Sequence, residues 1–175
     1  MKIRESKNDA VGSFEFSCDC SKNDFLHRII DLFGLKKVFL LLYGSEDTNE
    51  SCLMDFCNKE GIEHYTSRES SYSWNFALEL TMDQLSSFLN AIQATEYDEI
   101  EIWDCIIDWH SFISCQREEP KFFSFRRSSK EEWPSSFLLN YSRYKGHSVL
   151  IVYNSSRWNK FTKKEIEQIL LFKSR

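Results

Sequence analysis

The run Val38-Phe39-Leu40-Leu41-Leu42-Tyr43 is apolar without alternation. A half-buried strand alternates apolar and polar residues, so an unbroken run of this length marks a central strand covered on both faces. It is far too short to cross a bilayer, which takes about 20 apolar residues. Residues 38–43 therefore anchor a sheet, and the rest of the chain has to cover it.

The flanking segments read as that covering. Upstream, over Val11–Cys18, Phe14, Phe16 and Cys18 alternate with Ser13, Glu15 and Ser17, the period of a strand with one buried face. Ser21 with Asp24 resembles a capping box, Phe25, Leu26, Ile29, Ile30 and Phe33 then share one helix side, and Gly34 stands where a left-handed cap is wanted. Downstream, a helix is expected from about Glu50 to Lys59 with Leu53, Met54, Phe56 and Cys57 inward and Gly61 closing it. The Ser-rich stretch Ser67–Ser73 reads as a solvated connection. Trp74, Phe76, Leu78 and Leu80 then alternate as a strand. Thr81 and Gln84 cap a third helix with Met82, Leu85, Phe88, Leu89 and Ile92 as its core stripe.

A fourth strand is expected from about Tyr97 to Ile107, and beyond it the alternation of strands and helices stops. Lys121–Arg127, Ser136–Tyr141 and His147–Tyr153 read as three short strands, the last two joined at Lys145-Gly146. Thr162 with Glu165 opens a last helix whose apolar side is Ile166, Ile169 and Leu170. The expected fold class is α/β or α+β, a single domain over residues 1–175, with a mixed, mostly antiparallel sheet of about six to seven strands and about four helices.

Composition agrees with a packed chain. Of 175 residues, 42% are hydrophobic and fifteen are Phe, while Gly and Pro are scarce; a chain of this size can bury about 70% of its unfolded surface. The opening MKIRESKNDA has no apolar stretch behind it, so no secretory signal is expected and the expected location is the cytoplasm. Thiols stay reduced there, and Cys18, Cys20, Cys52, Cys57, Cys105 and Cys115 read as small buried hydrophobes. Cys18 and Cys20 could be half of a zinc site, but no C-x-x-C completes it; neither metal nor cofactor is expected. Phosphate-binding glycine loops and a G-x-S-x-G elbow are missing from the sequence, and His27, His64, His110 and His147 are not placed by any motif.

Charge is unevenly spread. The chain carries a net charge of -5, but residues 46–108 hold fifteen acidic and two basic groups, whereas residues 109–175 hold thirteen basic and six acidic ones. Such asymmetry points to a charged partner, unless the two segments lie together in the fold and neutralise each other.

Three site readings follow. In Glu99-Ile100-Glu101-Ile102-Trp103-Asp104-Cys105-Ile106-Ile107-Asp108-Trp109-His110, a period of two puts Glu99, Glu101 and Trp103 on one strand face, expected to be exposed or half-exposed because adjacent ionised carboxylates resist burial. That face is either a solvated edge strand or an acidic docking surface formed by Glu99, Glu101, Asp104 and Asp108 with Trp103 and Trp109 as aromatic anchors. The second reading takes the basic, aromatic C-terminal segment, with Arg126, Arg127, Arg157 and Trp158, as an RNA or single-stranded DNA surface. The third groups Asp104, Asp108 and His110 as ligands of a metal-dependent hydrolase.

The favoured expectation is a non-enzymatic cytosolic protein that engages a basic partner, a toxin or a nucleic-acid-handling enzyme, with no membrane involvement. In size, acidity and lack of a catalytic motif the chain resembles the immunity proteins that neutralise bacterial toxins and the phage-encoded inhibitors of host enzymes, a likeness of composition carried by no residue motif.

Overall fold

A computed structural model describes residues 3–7, 11–17, 22–45, 50–70, 73–91, 99–104, 108–118, 137–142, 148–154 and 162–171. Eight strands and five helices lie among them: β1 (Arg4–Lys7), β2 (Val11–Ser17), α1 (Lys22–Phe33), β3 (Lys37–Ser45), α2 (Glu50–Glu60), β4 (His64–Ser70), β5 (Ser73–Thr81), α3 (Met82–Ala91), β6 (Glu99–Asp104), α4 (Trp109–Glu118), β7 (Phe137–Ser142), β8 (Ser148–Asn154) and α5 (Lys163–Leu171). The strands form one sheet in the order β1-β2-β8-β7-β6-β3-β5-β4. Each neighbouring pair is antiparallel, so the fold is α+β with a single sheet.

β3 behaves as its unbroken apolar run requires. Val38, Leu40 and Leu42 enter the main core on one face, and Phe39 and Leu41 enter a second cluster on the other. The main core is continued on the same face by Phe76 and Leu78 of β5, Ile100 and Ile102 of β6, Leu139 of β7, Val149 and Ile151 of β8, and Phe14 and Phe16 of β2. Four helices close over it: Leu26, Ile29 and Ile30 of α1, Leu53 and Cys57 of α2, Leu85, Phe88 and Leu89 of α3, and Ile166 and Leu170 of α5 are all buried. Phe56 meets Phe88 edge to face at 5.6 Å, which packs α2 beside α3.

The helix ends follow their local chemistry. In α3, the Thr81 backbone N–H donates to Gln84 Oε1 at 3.0 Å and the Gln84 N–H donates back to Thr81 Oγ1 at 3.4 Å, a reciprocal capping box. At α5 the Thr162 N–H donates to Glu165 Oε2 at 2.8 Å. Gly34 and Gly61 have φ of 59° and 64°, and after Gly61 the Ile62 N–H donates to the Cys57 carbonyl at 2.8 Å, the closing bond of a glycine-terminated helix. The expected cap at Ser21 and the side chain of Phe25 lie outside the described residues, as do Ile92, the strand expected at Lys121–Arg127, the turn at Lys145-Gly146 and Cys18, Cys20 and Cys105.

Several expectations need correction. Ser67 to Ser70, read as solvated connection, belong to β4, and Ser73 opens β5; β4 is an edge strand, which hydrogen-bonds along one side only and needs little apolar content. Met54, expected inward, is 38% exposed, and Cys52 is exposed while Cys57 is buried. β1 and α4 were not anticipated at all. Among the described residues, α4 is the helix that packs on the second face of the sheet.

At the far end, Gly12 of β2 sits opposite Tyr153 of β8. The tyrosine ring lies against the glycine backbone, where any Cβ would collide with it, and stacks on Phe14 at 5.5 Å. This close approach is what requires glycine in an otherwise regular strand.

Candidate functional site

The polar groups that attract attention lie on the second face, where α4 and the middle of the sheet meet. Asp108 starts that helix. Its Oδ1 accepts from the Ser111 backbone N–H at 3.0 Å and its Oδ2 from the Ser111 hydroxyl at 2.6 Å, while the Asp108 carbonyl accepts from the Phe112 N–H at 3.0 Å. These bonds hold the Asp108 carboxyl below the usual carboxylate range. Once the helix is started, Trp109, Phe112 and Ile113 at helical spacing turn towards the sheet. They pack with Phe39, Leu41, Ala77 and Trp103, with Phe39 stacked on Phe112 at 4.2 Å between ring centroids and Trp109 at 5.9 Å from Phe39.

Beside this cluster runs one rung of the sheet: Ala77 opposite Leu41, Leu41 opposite Glu101, Glu101 opposite Asn140. Because β3 is covered on both faces, its neighbour β6 is covered too, and Glu101 is only 5% exposed. Its partners converge from three strands. Trp103 Nε1 donates to Glu101 Oε2 at 3.2 Å and Tyr43 Oη donates to the same oxygen at 3.4 Å. Asn140 Nδ2 donates to Glu101 Oε1 at 3.1 Å and also to Glu99 Oε1. Tyr43 faces Glu99 across the β3–β6 pair.

The electrostatics follow from this geometry. Among the described residues no cationic side chain is paired with Glu101. Burial is the largest influence and pushes the Glu101 carboxyl up from 4.5 to about 8; the Glu99 carboxylate pushes in the same direction, and the bonds from Asn140, Trp103 and Tyr43 pull the other way without cancelling it. Burial thus favours the protonated form of Glu101 inside the sheet.

The sequence-derived candidates separate accordingly. Glu99 is half-buried, as expected of a half-exposed face, but Glu101 and Trp103, at 5% and 4% exposure, are not. Nor is β6 an edge strand, for it lies between β7 and β3. Trp109 is 7% exposed and packed against Phe39, so both tryptophans are core side chains of the α4 cluster. Asp104 shares the face of Ile100 and Ile102, opposite to Glu101, and is 3% exposed. Asp108 and His110 are exposed at the start of α4. The trio Asp104, Asp108 and His110 is therefore divided between a buried strand position and a solvated helix start, and among the described residues no group of three His, Cys, Asp or Glu side chains could hold a metal ion. Arg126, Arg127, Arg157 and Trp158 lie outside the described residues.

Tyr43 and Asn140 were not singled out from sequence. Their signal is visible in retrospect: Asn140 interrupts the apolar strand Phe137-Leu138-Leu139, and Tyr43 ends the run that anchors the sheet. The other exposed carboxylates of the acidic segment, among the described residues, lie on the helical layer. Asp55 and Glu60 of α2, Glu63 just after it and Asp83 of α3 are exposed, Glu50 is half-buried, and Met54 is the exposed large hydrophobic among the described residues.

No family model matches the chain, and no curated protein matches it. Among solved structures, the ligand-free regulatory subunit of aspartate kinase from Thermus thermophilus is similar over 79% of this chain and 94% of that one, at 10% identity and a TM-score of 0.29. A likeness that faint transfers neither fold detail nor function. No described helix is long and apolar enough to cross a membrane.

Proposed function

We propose that this chain is a non-enzymatic, cytosolic binding module that engages and neutralises a basic protein through its acidic surface, in the manner of the immunity proteins and inhibitors it resembles in composition. The observation that carries the reading is the outward side of α2, where Met54 stands exposed beside Asp55 with Glu60 and Glu63 close behind in the chain. Carboxylates on a solvated helix accelerate encounter with a basic partner, and a flexible apolar side chain among them supplies contact area on docking. The steering role assigned from sequence to Glu101 passes to these residues, since a carboxyl buried in the sheet is screened from an approaching partner. The anchor role assigned to Trp103 and Trp109 passes to Met54. Glu99 and Asp108 remain at the margin of the second face.

The test is capture from a lysate of the protein's own cells at low and then moderate salt, with the native chain and an Asp55→Lys/Glu60→Lys variant in parallel and circular dichroism to confirm that both are folded. The reading expects a basic protein that the native chain retains, that the variant loses, and whose retention weakens as salt rises. Equal retention by both forms would remove the α2 surface. Nucleic acid in both eluates would move the function to the basic C-terminal segment.

A further inference from the structure

The buried acid of β6 belongs to no part of that binding reading, and its position gives it a different consequence. Glu101 does not lie under a large core. On its side of the sheet the described apolar packing is the cluster of Phe39, Leu41, Ala77, Trp103, Trp109, Phe112 and Ile113, with Tyr43 and Tyr65 against it, and α4 is the described helix that covers it. Trp103 joins the two systems: its ring belongs to the α4 cluster, and its indole N–H is on Glu101 Oε2.

We propose that Glu101 is the trigger of a proton-controlled latch: while it holds its proton α4 stays seated, and loss of that proton loosens α4 from the sheet by drawing water to the carboxylate beside Trp103. Among the described residues a bare carboxylate in this place has only neutral donors, the Asn140 amide, the Trp103 indole and the Tyr43 hydroxyl, and shares the amide with a second carboxylate, Glu99. An unpaired buried charge is costly, so hydration is the cheaper outcome. Among the described side chains no group relieves it: Tyr43 faces it from β3 and Glu99 from β6, Asn140 on β7 is neutral, and the described inward side chains of α4 are Trp109, Phe112 and Ile113. Lys37 is paired with Glu79 at the other end of β3, and Asp108 and His110 face solvent. Of the described elements that bound the site, α4 is the one that no ladder holds, since β3, β6 and β7 are each paired on both sides.

The sign of the effect follows from linkage. The closed state keeps the proton up to about pH 8, whereas in the open, hydrated state the carboxyl returns towards its ordinary 4.5. Between those limits the closed state binds one more proton than the open one, so the open fraction rises about tenfold per pH unit and levels off above the upper limit.

Hydrogen exchange on the full chain, read by mass spectrometry from about pH 5.5 to about pH 8.5, tests this. Protection of α4 is divided by protection of α3, which removes the ordinary acceleration of exchange with pH. The latch expects that ratio to fall about tenfold per pH unit and flatten near the upper end in the native chain, and to stay level in Glu101→Gln, which keeps the neutral shape. A level ratio in the native chain, or the same slope in the variant, would overturn it. Should the variant not fold, the side-chain carboxyl carbon of Glu101 in the native protein decides: a titration near 8 supports the latch, and one near 4.5 sinks it.

Discussion

The two faces of the sheet are made from the same strands and differ only in which alternate residues they present. On one, β2, β8, β7, β6, β3 and β5 contribute a broad apolar carpet, interrupted on β6 by the buried Asp104, and four helices lie on it. On the other, the described apolar cluster of the strands is Phe39, Leu41, Ala77 and Trp103 with Tyr43 and Tyr65 against it, and further along that face Glu101, Asn140 and Ser142 stand beside Leu150 and the buried Val152. A continuous carpet binds its covering elements by area alone, about 25 cal/mol for each Å² taken from water. A patch that ends in hydrogen-bonded polar groups has less apolar area with which to hold α4, and in the proposed latch the protonation of Glu101 adds to that hold. The first face sets whether the chain folds; the second can respond to conditions while the first stays intact.

The sharpest way to break this contrast is to empty a core position on each face. Phe88→Ala, on the helical layer, should lower global stability by about 3–5 kcal/mol in urea unfolding. Phe112→Ala should show itself chiefly as faster exchange in α4, with a smaller shift of the global midpoint. If both substitutions lower the midpoint equally and α4 exchange follows the rest, the faces form one cooperative unit and the distinction fails.

Next in size is the pH dependence. Because the folded carboxyl of Glu101 is raised to about 8 from 4.5, its contribution is fully present below the lower value and is lost as pH rises through the upper one. The stability advantage of Glu101→Gln over the native chain should therefore grow with pH across that window, by up to about 1.4 kcal/mol per unit. Thermal denaturation of both forms at several pH values measures it, and a constant difference would mean that the carboxyl is solvated.

The smallest effect is expected at Asp108. Asp108→Ala removes the cap that starts α4 and should raise exchange in that helix modestly while leaving α3 unchanged. The Asp108 carboxyl is held low, so its support is present above the ordinary carboxylate range and is lost as pH falls through its depressed value, the opposite sense to Glu101. α4 exchange that is indifferent to the substitution would show that packing alone holds the helix.

Much of the fold was legible because local chemistry and burial agreed. The unbroken run at 38–43 did lie at the centre of the sheet, the caps at Thr81 and Thr162 and the glycine ends at Gly34 and Gly61 formed as read, and the stripes of α1, α3 and α5 were core. What stayed hidden depended on neighbours. β4 is too polar to announce itself and exists because β5 pairs with it. α4 follows directly on a segment read as strand, and its start is coded only by Asp108 with Ser111 and the spacing Trp109, Phe112, Ile113. Alternation correctly put Glu99, Glu101 and Trp103 on one face, but whether that face meets water was decided by β3 beside it and α4 above it. Charge alone argued for exposure; the double coverage of β3 argued against it, and the coverage prevailed.

The sheet also ends differently at its two borders. β1 is four residues long, all of them exposed, and three of its side chains, Arg4, Glu5 and Lys7, are charged, with Arg4 near Glu15 of the next strand at 3.7 Å. β4 carries little charge over His64–Ser67, but its register with β5 shifts between Arg68 and Ser70. A second chain trying to extend the sheet would have to desolvate a row of ions at one border and match a dislocated ladder at the other. Neither border is thus a ready template for a fibre, and concentrated solutions of the protein should stay clear for as long as β1 and β4 keep their places.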